Sequence, residues 1–147
     1  MTPYRLIVAA QHRSFREALR RILSEQPDLE ITGEASEGVS LLELVRNSPV
    51  GPLLVILDVS LPNVPWTEIL SKVKAGHRDT DVLILSMHED VEYLRQALLN
   101  GAGGYLVKEK IEAELLRAID TIRRGHTFVL DYRTKREHRP SDYLRSS

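Results

Sequence analysis

The chain has 147 residues, of which 42% are apolar and 28% charged, a composition that suits one globular domain with a sizeable core. A formal net charge of −1 argues against a domain that binds nucleic acid through its overall field, and the lack of cysteine excludes disulfides, thiolate catalysis and zinc–thiolate sites. No apolar run approaches the roughly 18 residues of a membrane span, so we expect a soluble cytoplasmic protein.

Five short apolar runs alternate with segments of helical periodicity along the chain. We predict strands over 5–10, 30–35, 53–58, 81–86 and 103–108. The segments that follow these runs carry apolar residues on one helical face, such as Phe15, Leu19 and Leu23 after the first run. The pattern therefore predicts five strands and five helices in alternation.

The starts of three helices are predicted from side chains that can accept free backbone amides of a first turn. Ser14 and Glu17 fit a capping box for the first helix. Ser36 and Asp90 fit caps for the second and fourth helices.

Strands that alternate with helices indicate βαβ units and hence a parallel sheet. The run at 53–57 lacks polar alternation, as expected when helices cover both faces of the sheet. We predict an α/β fold, a doubly wound five-stranded parallel sheet of flavodoxin-like type with strand order 2-1-3-4-5 and five helices.

The domain is expected to cover 1–125. The segment 126–147, with five Lys/Arg against three Asp/Glu, is expected to be a polar, mildly basic tail or linker whose opening can pack as a short extended piece.

Polar residues stand where three of the predicted strands end. Asp58, Ser86 and Lys108 follow the third, fourth and fifth apolar runs. Because ligands of such folds collect at the carboxyl edge of the sheet, where the strand order reverses, we expect these side chains to lie close together. A carboxylate can act as a nucleophile, while a hydroxyl and an ammonium can bind phosphoryl oxygens. Taken singly, each residue is equally well explained as an ordinary loop cap, strand end or solvent-facing lysine.

Four motifs carry a resemblance to a known family: LDVSLPNV around Asp58, LILSMHED around Ser86, NGAGGYLVKE around Lys108, and HRSFREALRRIL in the first helix. Over residues 4–125 the chain resembles a response-regulator receiver domain of two-component signalling, of the LuxR-type (NarL-like) group. The resemblance implies that Asp58 accepts a phosphoryl group from a histidine kinase and that Lys108 pairs with the phosphate. It also implies that Ser86 binds the phosphoryl oxygens and acts as a switch together with Tyr105.

The same resemblance implies an output and a set of partners. The surface formed by helix 4, strand 5 and helix 5 would change on phosphorylation and regulate transcription. The domain would form a homodimer, would reach DNA only through an output domain outside this sequence, and would contact no membrane. It would act as a signalling module and not as an enzyme.

The sequence departs from the family pattern at the end of the first strand, where the family carries a pair of acidic residues. Ala10 and Gln11 occupy those positions, and the first acid of the chain is Glu17. Magnesium prefers oxygen ligands and is usually held by one or two carboxylates, waters and phosphate oxygens. Asp58 remains as the one carboxylate ligand, with the backbone carbonyl of Ser60 and the amide oxygen of Gln11 in support. The loss of two carboxylates costs a few kcal/mol, or about two decades in affinity, so we expect weak Mg²⁺ binding.

Several alternatives stay open at this point. Asp58 can be phosphorylated slowly, with metal recruited mainly by the incoming phosphate. Alternatively, the chain can be an atypical (pseudo-)receiver that acts through phosphorylation-independent protein interaction or dimerisation. A flavin or nucleotide enzyme of the same fold would need a glycine-rich loop after the first strand, where AAQHRSF has none. A haloacid-dehalogenase-type phosphatase would carry a second Asp two residues after Asp58, where Ser60 stands.

Overall fold

The structure, a computed structural model, describes residues 2–77, 79–87 and 91–130. Its strands are β1 (Tyr4–Ala9), β2 (Leu29–Ala35), β3 (Leu53–Asp58), β4 (Thr80–Ser86), β5 (Gly104–Val107) and β6 (Phe128–Leu130). Its helices are α1 (Arg13–Leu23), α2 (Gly38–Arg46), α3 (Trp66–Gly76), α4 (Val91–Leu99) and α5 (Ile111–Arg123), with a short 3₁₀ turn at Lys108–Lys110.

The strands form one parallel sheet in the order β2-β1-β3-β4-β5-β6. The predicted fold class and the order of the first five strands are confirmed. All residues of β3 are buried, because α2, α3 and α4 pack on one face of the sheet and α1 and α5 on the other. Within the described ranges, every helix is too short or too polar to cross a membrane.

A sixth strand extends the sheet beyond the five that were predicted. β6 pairs with β5, with Phe128 opposite Gly104 and Val129 opposite Tyr105. All three residues of β6 are buried. A strand of three residues is too short to show alternation, and this one lies at the start of a polar segment, so its sequence gave only a weak indication of extended structure. The sheet therefore reaches Leu130, past the expected domain limit at 125, while residues 131–147 lie outside the described part of the chain.

The predicted cap of α1 is wrong. The helix begins at Arg13, with His12 in the N-cap position and without a side-chain cap. Ser14 therefore lies inside the first turn, and Glu17 pairs with Arg13 at 3.1 Å instead of closing a capping box. The predicted cap of α4, Asp90, lies outside the described residues.

The predicted cap of α2 is also wrong, because Glu37 and not Ser36 occupies the N-cap position. The Glu37 carboxylate accepts the backbone amides of Val39 at 2.8 Å and Ser40 at 2.7 Å. It also accepts the side-chain amide of Asn63 at 3.1 Å. One carboxylate thus joins the start of α2 to the loop between β3 and α3.

These hydrogen bonds predict a specific pH dependence of stability. The bond from Asn63, followed by those from the amides of Ser40 and Val39, lowers the pKa of Glu37 from 4.5 to about 2. A carboxyl whose pKa is lower in the folded state stabilises the fold above its unfolded pKa, and this contribution is lost as the pH falls. Between pH 4.5 and 2, we therefore expect Glu37→Gln to show a shallower fall in its urea midpoint than the parent chain. Glu43→Gln, on an exposed position of α2, is the control; equal slopes for the parent and Glu37→Gln would contradict the role of the cap.

Candidate functional site

Asp58 and Lys108 form the centre of the site at the carboxyl edge of the sheet. Asp58 ends β3 and is 2% exposed, although it carries a charge. Lys108 follows β5 directly, and its Nζ donates to Asp58 Oδ2 at 2.7 Å. The backbone amide of Ser60 donates to the other carboxylate oxygen, Oδ1, at 3.0 Å. Asp58 and Lys108, at the ends of the two strands that flank β4, are thus in direct contact. Both oxygens of Asp58 accept hydrogen bonds.

Ser86 lies at the same edge, on the strand between these two residues. In the pairing of β3 with β4, Asp58 lies opposite Leu85, and Ser86 is the next residue along β4. Its register partner on β5 is Val107, which immediately precedes Lys108. Neighbouring strands are about 4.8 Å apart, so Ser86 lies beside both partners of the ion pair. Ser86 is fully buried, and its proposed role at a phosphoryl group stays a prediction.

Tyr105, the predicted switch residue, lies in the middle of β5. It is 1% exposed and belongs to the core cluster between the sheet and α2, α3 and α4. Its register partners are Ile84 on β4 and Val129 on β6. The side chain is therefore packed in the core in this structure, and its role as a switch stays a prediction.

The structure shows a contact to Lys108 that sequence reasoning missed. The ring of Phe15, in the first turn of α1, lies under the ammonium, with Nζ 4.6 Å from the ring centroid. The helical pattern identified Phe15 only as a core-facing residue, and it is half-buried here. No local sequence pattern could have predicted this contact, because Phe15 and Lys108 are far apart along the chain.

The end of β1, where the resemblance predicts a pair of acids, holds a cation. Ala10 is buried and Gln11 is exposed. The guanidinium of Arg16 donates to the backbone carbonyl of Ala10 at 2.7 Å and to that of Gln11 at 3.1 Å. The carbonyls at both positions of the missing acidic pair are therefore bound to a positive charge.

Two acids on the neighbouring segment do not replace the pair. Glu34, near the end of β2, forms an ion pair with Arg16 at 3.4 Å and another with Arg20. Glu37 is bound as the cap of α2. In the part of the chain that the structure describes, no group of three or more His, Cys, Asp or Glu residues could hold a metal ion. Asp58 is a single carboxylate whose charge is paired with Lys108, so these residues do not fit the Mg²⁺ that the resemblance implies.

A cleft of about 690 Å³ lies at the opposite edge of the sheet, where the strands begin. Two of the charged groups that line it are paired within the chain: Arg123 lies 3.0 Å from Asp28, and Asp81 lies 3.8 Å from Lys74. Burial raises the pKa of the Asp81 carboxyl. This shift has a structural cause, the burial of Asp81, and the cleft lies at the edge opposite Asp58 and Lys108.

Comparison with known proteins identifies the family. The profile of the response regulator receiver domain matches residues 6–120. The chain is 30% identical over 124 residues to the transcriptional regulatory protein DegU of Brevibacillus brevis, covering 84% of this chain and 52% of that protein. It is 34% identical over 126 residues to the oxygen regulatory protein NreC of Staphylococcus carnosus (strain TM300), covering 85% of this chain and 57% of that protein.

A solved structure shows the same fold. The signal receiver domain of the response regulator NarL from Mycobacterium tuberculosis superposes with a TM-score of 0.76 and is 28% identical, covering 86% of this chain and all of that one. The chain spans little more than half the length of the two curated relatives. It belongs to the response-regulator receiver domain family of two-component signalling, in the LuxR-type (NarL-like) group.

Proposed function

We propose that this receiver domain accepts a phosphoryl group on Asp58 from a histidine kinase and passes the signal to a transcriptional output. The observation that carries the proposal is the contact between Asp58 and Lys108 at the carboxyl edge of the sheet. The carboxylate is positioned by two hydrogen bonds, and the ammonium is the nearest described positive charge to the atom that would bind phosphorus. Membership of the receiver family supports the same reading.

The transfer is a substitution at phosphorus. One oxygen of the Asp58 carboxylate forms a P–O bond while the P–N bond to the kinase imidazole breaks. The imidazole nitrogen keeps the electron pair of that bond and takes up a proton, and Asp58 becomes an acyl phosphate. The protein contributes position and charge, which is the main requirement in phosphoryl transfer.

The output would arise from the elements beside the site. Ser86 would bind phosphoryl oxygens, and Tyr105 would change position with it, which alters the surface of α4, β5 and α5. Trp66 and Tyr93 support this route, because their rings lie 5.7 Å apart and connect the start of α3 with α4. We further propose a homodimer, cytoplasmic location, DNA contact through an output domain beyond this sequence, and no enzymatic turnover.

Intact-mass measurement after incubation with a small phosphodonor tests the acceptor directly. We expect the parent chain to gain one phosphoryl mass and Asp58→Asn to gain none, because the amide is not a nucleophile. Asp79→Asn is the matched control, since Asp79 is exposed at the opposite edge of the sheet and should leave the reaction unchanged. Equal labelling of the parent and Asp58→Asn would refute the assignment.

The alternative of an atypical receiver that acts without phosphorylation gains no support from the comparisons, which place the chain among receiver domains. The departure at Ala10 and Gln11 has a different consequence, which concerns the cation of the site.

A further inference from the structure

We propose that this site works without a divalent cation and that the ammonium of Lys108, seated on the ring of Phe15, is its resident cation. The inference deepens the proposed function, and its phosphoryl-transfer arm rests on Asp58 being the acceptor. The part that concerns metal binding can be tested whether or not Asp58 is the acceptor.

The Asp58 carboxylate is already paired with a cation. A metal held by Asp58 would have to share or displace the Lys108 ammonium at 2.7 Å and the Ser60 amide at 3.0 Å. A hydrated Mg²⁺ dehydrates reluctantly and gains most from several oxygen ligands in octahedral positions. A single carboxylate that is already neutralised by an ammonium offers little attraction for it.

A positive charge lies at the end of β1. Arg16 places a guanidinium on the carbonyls of Ala10 and Gln11, where the family pattern has two negative charges. The side chain of Arg16 is only 16% exposed, so its charge is incompletely screened by water. Its partner Glu34 is shared with Arg20. Two guanidiniums therefore share one carboxylate beside the end of β1, and neither described acid there is left for a metal.

The Lys108 side chain is held in place by two contacts. Its side chain is 21% exposed, held by Asp58 on one side and stacked over Phe15 on the other. Stacking on an aromatic face stabilises an ammonium most where water is excluded. An ammonium carries three donors, so it can keep one on the Asp58 oxygen and direct others to the oxygens of an arriving phosphoryl group. A cation held in a fixed position stabilises the negative charge that develops on the transferring phosphoryl group, and the protein does not have to rearrange to do so.

Titration of the full chain with Mg²⁺, followed by calorimetry and by Trp66 fluorescence, tests the metal-binding arm. We expect no saturable binding by the parent chain. Ala10→Asp/Gln11→Asp restores the acids and is expected to bind at least about 100-fold more tightly, and Gln11→Asp alone keeps the buried Ala10 if the double variant does not fold. Mg²⁺ binding by the parent comparable to that of the restored variants would overturn the proposal. So would a folded restored variant that binds no better than the parent, because the missing acids would then not be the cause.

The phosphoryl-transfer arm compares labelling by acetyl phosphate in EDTA and in excess Mg²⁺. Equal initial rates under the two conditions are the expected result. Labelling that requires Mg²⁺ would refute the inference while leaving Asp58 as the acceptor. Absence of labelling under both conditions would refute the proposed function, and the titration would still decide whether the site binds metal.

Variants of the cation separate a role in transfer from a role in packing. Phe15→Leu keeps an apolar side chain but removes the aromatic face, so labelling in EDTA should slow about threefold to tenfold. Lys108→Met should abolish labelling, and Lys108→Arg should restore part of it because it keeps the charge. Equal rates in Lys108→Met and the parent would show that Lys108 is not the cation of the site.

Discussion

Replacement of Phe128 by alanine is expected to lower the free energy of unfolding by about 3–5 kcal/mol, the usual cost of truncating a fully buried aromatic residue. Phe128 is completely buried in the cluster that β6 shares with α5, and the guanidinium of Arg117 lies 5.5 Å from its ring. Its backbone amide also donates to the carbonyl of Gly103 at 3.1 Å. The short strand therefore contributes to the main core, although it follows the last helix. Urea denaturation of the full chain measures the effect.

Val50→Ala provides the control for this prediction. Val50 is 95% exposed, so its truncation should change stability by no more than about 0.5 kcal/mol. If Phe128→Ala were as mild as Val50→Ala, β6 would not be part of the folded core, and the domain would end near residue 125 as the sequence predicts.

Replacement of Lys108 by methionine is expected to destabilise the fold by about 2–4 kcal/mol, because it leaves a buried carboxylate without its cation. Asp58 is 2% exposed and has only the Ser60 amide as a further described donor. Methionine keeps much of the side-chain volume and the contact with Phe15. The loss of stability therefore measures the removed charge more than the removed packing.

A double-mutant cycle isolates this charge effect. In the Asp58→Asn background, Lys108→Met should cost less than about 1 kcal/mol, because no charge is then left unpaired. Denaturation midpoints of the four chains, measured in the presence of EDTA, give the coupling. The same cost in both backgrounds would show that the ion pair contributes nothing to stability.

The sheet was predictable because its signals are local. The uninterrupted apolar run of β3 indicated a strand covered on both faces, and the regular alternation of runs and helices indicated parallel connections. Asp58, Ser86 and Lys108 could be placed at one edge for the same reason, since each directly follows such a run.

The remaining features depend on tertiary contacts that leave no pattern in the chain. Arg16 looks like any cation on an amphipathic helix, yet its guanidinium binds the backbone at the end of β1. Glu37 was overlooked as the cap of α2 because serine is the commoner cap residue. The Glu37 carboxylate also accepts a hydrogen bond from the side chain of Asn63, a loop residue with a positive φ of 80°, and this contact leaves no pattern in the sequence. The absence of acids at Ala10 and Gln11 could be read from the sequence, but the cation that lies there instead could not.

The direction of β6 determines at which edge of the sheet the described part of the chain ends. α5 runs back to the edge where the strands begin, so a connection that started at its end would leave far from Asp58. β6 runs parallel to β5 and returns the backbone to the carboxyl edge, with Leu130 paired to Leu106, two residues before Lys108. Leu130 thus lies next to the strand that leads into Lys108, so whatever follows it in the chain is tethered at the edge that holds Asp58.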